Sequence, residues 1–206
     1  MNSILGQDVD YPIDHLILNG DEGGGHRYDL VTIKYAKARL YALENGYDAI
    51  WTTEYDMIMP NNALRLLYEV ESDITYGLYC WRWKPYYWSS YIYLDQYKGI
   101  SISQNARIAR DSWGKVVDSC GVGHGCTLIH RSALERMVFR REGEPCADWF
   151  MSLDAQRLGL KQKSHLGVVC GHMSYTPTPT VIWPDPSSDD LFRIEPFIPS
   201  ESAAVS

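Results

Sequence analysis

Glu54 and Asp56 stand two residues apart in Ile50-Trp51-Thr52-Thr53-Glu54-Tyr55-Asp56-Met57-Ile58-Met59-Pro60, where an apolar, β-favouring run ends abruptly. Alternate residues of an extended chain point the same way, so the two carboxylates are expected to converge. Hard oxygen ligands in that arrangement suit a divalent cation, Mn²⁺ or Mg²⁺. A solvated polar strand end is the structural alternative for so short a motif. Two other stretches carry residues able to do chemistry. Cys120-Gly121-Val122-Gly123-His124-Gly125-Cys126 packs three glycines around a histidine, a density that lets backbone approach a ligand closely. Trp81 to Tyr97 is an aromatic cluster that no single period fits. It reads either as an irregular core-facing hairpin or as a sugar platform built from Trp81, Trp83 and Trp88.

The composition bounds the function classes. The chain has 206 residues, 45% hydrophobic and 22% charged, which is one globular domain by size. Tyr and Trp number 15 and 7 against 4 Phe. Both pair a large apolar face with a hydrogen-bonding tip, which fits a surface that grips a polar ring such as a sugar. The net charge of −7, with no basic block, argues against nucleic acid as a partner. No apolar run is long enough to span a membrane. Met1 to Gly6 lacks the pattern of a signal peptide. Five cysteines without C-x-x-C spacing imply a reduced, cytoplasmic protein with no structural zinc.

The elements that would position these residues follow from periodicity. His15-Leu16-Ile17-Leu18 predicts a short buried strand ended by Asn19-Gly20-Asp21, with Gly23-Gly24-Gly25 as a loop after it. Leu30, Ile33, Ala36, Leu40 and Leu43 predict a helix capped by Asp29 and closed by Gly46. Strands follow at Asp48–Thr53 and Ile74–Cys80, with a helix over 61–71 between them. Residues 98–118 read mainly as loop. Later strands are expected at Thr127–Ile129 and His165–Cys170, and an amphipathic helix over Ala147–Gly159. Asp148 falls in that helix's first turn, where its dipole alone is reason enough for an acid. Alternating strands and helices predict an α/β fold with a mostly parallel sheet, whose ligands sit outside the carboxyl ends of the strands. Glu54 and Asp56 fall at such an end. Residues 1–176 read as a single catalytic domain and 177–206 as a Pro/Ser-rich extended tail.

The order of these pieces resembles the family 2 glycosyltransferases and their relatives with the GT-A fold. Lys34-Tyr35-Ala36-Lys37-Ala38-Arg39 with Asn45-Gly46-Tyr47-Asp48 is similar to the helix before the metal motif. Thr53 to Pro60 is similar to the Asp-x-Asp segment, with Glu in the first acidic position. Gly123 to Arg131 is similar to the acceptor loop and its strand. Ala147-Asp148-Trp149 through Gly159, with Val169-Cys170-Gly171-His172, is similar to the base-bearing helix and the late metal-ligand histidine. The resemblance covers roughly residues 14–175, so the implied fold is GT-A-like (Rossmann-like) and N-terminally shortened.

That resemblance implies a metal-dependent glycosyltransferase. A sugar would move from a nucleotide-diphosphate-sugar donor to a carbohydrate or other hydroxyl acceptor, with inversion. Asp56 and His172 would hold Mn²⁺ or Mg²⁺, and Glu54 would contact the metal or the donor ribose. Asp21, Lys34 and Arg39 would serve the nucleotide. Asp148 would be the general base. Trp81, Trp83, Gly123, His124, Gly125 and Trp149 would face acceptor or sugar. The short segment before His15 implies a donor pocket completed by a partner, most simply a second copy. Two other classes compete: a degenerate GT-A module that binds carbohydrate or nucleotide without turnover, and a metal-dependent nucleotidyltransferase. The latter ranks third because the N-terminus lacks a glycine- and lysine/arginine-rich segment.

Overall fold

The computed structural model describes residues 6–18, 27–121, 123–142, 147–175 and 178–198. Asp21 and the Gly23-Gly24-Gly25 loop lie outside the described residues. The expected strand at 15–18 is irregular instead, with Leu16 46% and Ile17 64% exposed. Four apolar residues carry no periodicity that separates a strand from a surface loop.

Helix α1 spans Arg27–Glu44. It ends before Gly46, which takes the left-handed φ of +77° that glycine adopts without strain. Its packed stripe is Tyr35, Ala36, Ala42 and Leu43. Ile33 and Leu40, expected on that stripe, are each 50% exposed. Strands β1 (Ala49–Thr53) and β2 (Met57–Ile58) follow, then α2 (Ala63–Tyr68) and β3 (Ile74–Leu78). Next come β4 (Ser90–Leu94), β5 (Gly99–Ser101), a 3-10 turn at Ile102–Gln104 and α3 (Ala106–Ser112). The chain continues through β6 (Val116–Asp118), β7 (Cys120–Gly121), β8 (Cys126–His130), α4 (Arg131–Arg136) and α5 (Ala147–Arg157). It closes with β9 (Gln162–Val169), β10 (Gly171–Ser174), β11 (Thr180–Pro184) and β12 (Phe192–Pro196). Helix α3 falls in the stretch read as loop. Its signal is short: Asn105, whose side chain accepts from Ile108 N, caps one turn of apolar residues.

The fold is mixed α/β, but its central sheet corrects the expectation of a mostly parallel one. The order is β1-β8-β3-β9-β6, and β3 with β9 is its single parallel pair among the described residues. Strands β1, β3 and β9 do run the same way, as strand–helix–strand connections require. Strand β8 inserts between β1 and β3 in the opposite sense, and β6 closes the far edge. Spatial insertion of a later strand leaves no trace in the sequence order of helices and strands.

Side chains alternate across this sheet into two cores. Ile129 of β8 joins Ile74, Tyr76, Leu134, Met151 and Ala155 on the face covered by α1, α4 and α5. Leu128 joins Leu64, Leu67, Val168 and Met57 on the face covered by α2. A second sheet, β12-β11-β10-β2, is wholly antiparallel. Residues beyond 177, expected as an extended tail, supply two of its strands. Val181 and Ile182 are buried there, so the prolines punctuate a hairpin that packs on β10. No helix among the described residues is long and apolar enough to cross a membrane.

Candidate metal centre

The end of β1 does not run on as a strand through the two acids. Met57 N donates to Glu54 O at 3.2 Å, which closes a turn over Tyr55 and Asp56. Strand β2 then pairs with β10 so that Met57 lies opposite His172, and Met173 N donates to Asp56 O at 2.8 Å. This register sets the histidine beside the aspartate. Ligand atoms of Glu54, Asp56 and His172 all lie within 4.8 Å of one another.

Hydrogen bonding orients the ring. His172 Nδ1 is 2.7 Å from the Cys80 carbonyl, which can only accept, so Nδ1 carries the hydrogen. The lone pair of the neutral ring is then on Nε2, 3.8 Å from Asp56 Oδ2 and too far for a hydrogen bond. Asp56 is 1% exposed and His172 5%. Asp56 Oδ1 and His172 Nε2 are buried without a hydrogen-bond partner among the described residues. Orphaned buried acceptors are rare and costly. Two of them beside the Glu54 carboxylate fit a cation, and an imidazole held by a backbone carbonyl is the usual support for a ligating histidine.

Charge is concentrated around this point. The Glu54 carboxyl is pushed up to about 7 by burial and by the negative charges of Asp56 and Asp148. Burial also pushes the Asp56 carboxyl up, but His172, when its ring carries both protons, and Arg82 outweigh it and hold the group below its usual value. Arg82 Nη1 meets Asp56 Oδ2 at 2.5 Å. Two tyrosines lie within electrostatic reach of the acids. Burial, then Glu54 and Asp148, raise the hydroxyls of Tyr35 and Tyr79 well above the ordinary value, so both remain neutral donors beside the acids. Tyr79 also meets the His172 ring edge-on, with centroids 5.5 Å apart.

The remaining sequence candidates divide. Asp148, in the first turn of α5, shares the electrostatic neighbourhood of Glu54, and its carboxylate accepts from Trp149 N at 2.9 Å. Lys34 is half-buried on α1, next to Tyr35. Arg39 does not join the cluster: its Nε donates to the Leu134 carbonyl at 2.6 Å and ties α1 to α4. His124 is 2% exposed, with its ring against Tyr35 and Phe139 and both nitrogens unpartnered among the described residues. It touches the core rather than an open acceptor surface. Gly123 and Gly125 make room for the Tyr79 ring; a Cβ on Gly123 would come within 1.7 Å of its hydroxyl oxygen.

In the aromatic stretch, Trp88 is fully buried, its Nε1 donating to Leu191 O at 2.8 Å, so it belongs to the core. Trp81 is half-buried between Trp83 and Tyr91, and Trp83 is 53% exposed. Trp149 is half-buried, meets Tyr91 edge-on and donates from Nε1 to Asp95 O at 2.8 Å.

Arg82, Tyr35, Tyr79 and the Cys80 carbonyl are site residues that sequence reading missed. Arg82 had a signal: it is a basic residue just past the carboxyl end of β3, where ligands of such sheets sit. It was hidden between two tryptophans that drew attention to aromaticity.

No protein-family model matches the chain, and no curated protein matches it. Among solved structures it is similar to the crystal structure of A197 from STIV, with a TM-score of 0.54 and 14% identity over 82% of this chain and 77% of that one. At that identity the likeness is one of fold.

Proposed function

We propose that this chain is a metal-dependent glycosyltransferase of the GT-A type. It transfers a sugar from a nucleoside-diphosphate-sugar to a hydroxyl acceptor with inversion at the anomeric carbon. The observation that carries the reading is the convergence of Glu54, Asp56 and His172, with Asp56 Oδ1 and His172 Nε2 buried and unpartnered among the described residues. These three residues would hold Mn²⁺ or Mg²⁺. When bound, the cation neutralises charge growing on the leaving diphosphate. Asp148 supports the reading because it adds a further carboxylate within electrostatic reach of Glu54.

The chain's own residues divide the remaining work. Asp148 takes the proton of the acceptor hydroxyl as its oxygen forms the new bond to the anomeric carbon. The bond from that carbon to the diphosphate oxygen breaks on the opposite side. Tyr35 and Tyr79 keep water from the inner wall and remain neutral there. Trp81, Trp83 and Trp149 offer half-exposed ring faces to a sugar.

The test is incubation with a panel of nucleotide-sugars, with and without Mn²⁺, measuring released nucleoside diphosphate. Mn²⁺-dependent release with at least one donor is expected. Binding of donor without release in any combination would favour a module that binds without turnover.

A further inference from the structure

Arg82 joins the mouth of the cluster to its buried floor. Its side chain is 26% exposed, whereas the Asp56 side chain it meets is 1% exposed. The contact from Nη1 to Asp56 Oδ2 is its only hydrogen bond among the described residues. A guanidinium carries five N–H donors in a planar fork, so most of that fork is uncommitted. Serving as the counter-ion of Asp56 uses one donor and would be met by a lysine. A fork whose other donors stand at a partly open position is suited to planar oxyanions.

The local charge says when such an anion can enter. Glu54 lies within electrostatic reach of two further acids, Asp56 and Asp148, and of Arg82. Acids outnumber the guanidinium there, and a divalent cation offsets that excess. An anionic ligand is repelled before the cation binds and tolerated afterwards. It is then met by two positive centres that share Asp56 between them. A diphosphate has oxygens on two adjacent phosphorus atoms and can engage both at once. Of the two basic side chains expected to serve the nucleotide, Arg39 is held by the Leu134 carbonyl and Lys34 is half-buried on α1. Tyr55 and Tyr175 form an exposed stacked pair close by, centroids 6.3 Å apart, 80% and 45% exposed. The hydroxyl of Tyr175 feels both Asp56 and Arg82.

We propose that Arg82 is the phosphate-binding residue of this site and grips the diphosphate of a nucleoside-diphosphate ligand with the donors that Asp56 leaves open. The proposal rests on the reading of Glu54, Asp56 and His172 as a cation site. It makes phosphate binding ordered, cation first.

The experiment is titration calorimetry on the full chain with two probes, Mn²⁺ alone and inorganic pyrophosphate at saturating Mn²⁺. The proteins are wild type, Arg82→Gln and Arg82→Lys, each checked for folding by circular dichroism. Wild type is expected to bind pyrophosphate only when Mn²⁺ is present. Arg82→Gln should weaken pyrophosphate at least tenfold while Mn²⁺ alone binds as tightly as before or more tightly. Arg82→Lys, which keeps the charge and loses the fork, should fall between the two. If Arg82→Gln does not fold, the lysine variant decides, and wild-type pyrophosphate affinity in it overturns the proposal. Unchanged pyrophosphate affinity in Arg82→Gln overturns it too. So does a parallel loss of Mn²⁺ affinity, which would make Arg82 only a support for Asp56. Absence of Mn²⁺ binding by wild type would instead refute the cation site itself, and the proposal with it.

Discussion

His172 Nδ1 donates to the carbonyl of Cys80 at 2.7 Å, so a residue of β10 is oriented by the chain just past β3. Cys80 is itself held by a bridge to Trp88, whose ring is fully buried. The direction of the Nε2 lone pair is therefore set by core packing rather than by a flexible loop, a form of preorganisation that metal ligands commonly have.

His172→Asn separates the two roles of this ring. The asparagine amide can still donate to the Cys80 carbonyl, but nothing replaces Nε2. The melting temperature is expected to change little, since one buried hydrogen bond is worth only about 1 kcal/mol and is retained. Mn²⁺ affinity should fall by more than tenfold. Thermal melts paired with titration calorimetry check this, and unchanged affinity would move the histidine out of the ligand set.

Asp148→Asn keeps the shape of the side chain and removes the proton acceptor. Sugar transfer to acceptor is expected to drop by about 10²–10⁴-fold, the usual contribution of a general base, with Mn²⁺ and donor affinity intact. Near-full transfer in this variant would assign the proton to another group. An axial product from an axial donor would remove the need for such a base altogether.

His124 makes stability depend on pH. Burial pushes its pKa down to about 4 in the folded chain, with the Asp148 charge opposing, against 6.5 for the free side chain. The unfolded chain thus binds more protons between those values. The contribution is fully present above pH 6.5 and is lost as pH falls from 6.5 towards 4. The shift corresponds to about 3 kcal/mol at most. His124→Phe should flatten that part of the profile, because the ring sits between Tyr35 and Phe139. Urea melts at pH 7 and pH 4.5 give the comparison; an identical pH slope in both proteins would contradict it.

Gly123 has a φ of +116°, and a Cβ there would overlap the Tyr79 hydroxyl at 1.7 Å. Gly123→Ala is expected to cost roughly 2–4 kcal/mol and to weaken Mn²⁺ binding through the displaced Tyr79 ring. Adding Tyr79→Phe should return part of the loss, since the next ring atom is 2.9 Å from that Cβ. Urea melts of the single and double variants read both effects, and no recovery would place the strain in the backbone alone.

Glu54 and Asp56 are legible in the sequence because an apolar run ending in paired acids is a local pattern. Helix α1 and strands β1, β3, β8 and β9 are legible for the same reason, since each keeps its own period over several residues. His172 is different. No spacing links it to Asp56; the resemblance of Val169-Cys170-Gly171-His172 to a late metal-ligand segment names it, and the pairing of β2 with β10 sets it beside Asp56. Tyr79 reaches the cluster through tertiary packing and leaves no spacing signal, and Arg82 shows only its place just past the carboxyl end of β3. The antiparallel insertion of β8 between β1 and β3 is likewise a fact of space, as is the packing of the proline-bearing hairpin β11–β12 on β10.

Titration of Mn²⁺ into the wild-type chain and into Asp56→Ala, by calorimetry with electron paramagnetic resonance of free Mn²⁺ as a check, tests the cation centre most directly. Saturable binding at one site per chain is expected in wild type, with loss of that site in a folded Asp56→Ala protein. Mn²⁺ binding of equal affinity and stoichiometry in both proteins, or none in wild type, would contradict a metal centre at Glu54, Asp56 and His172.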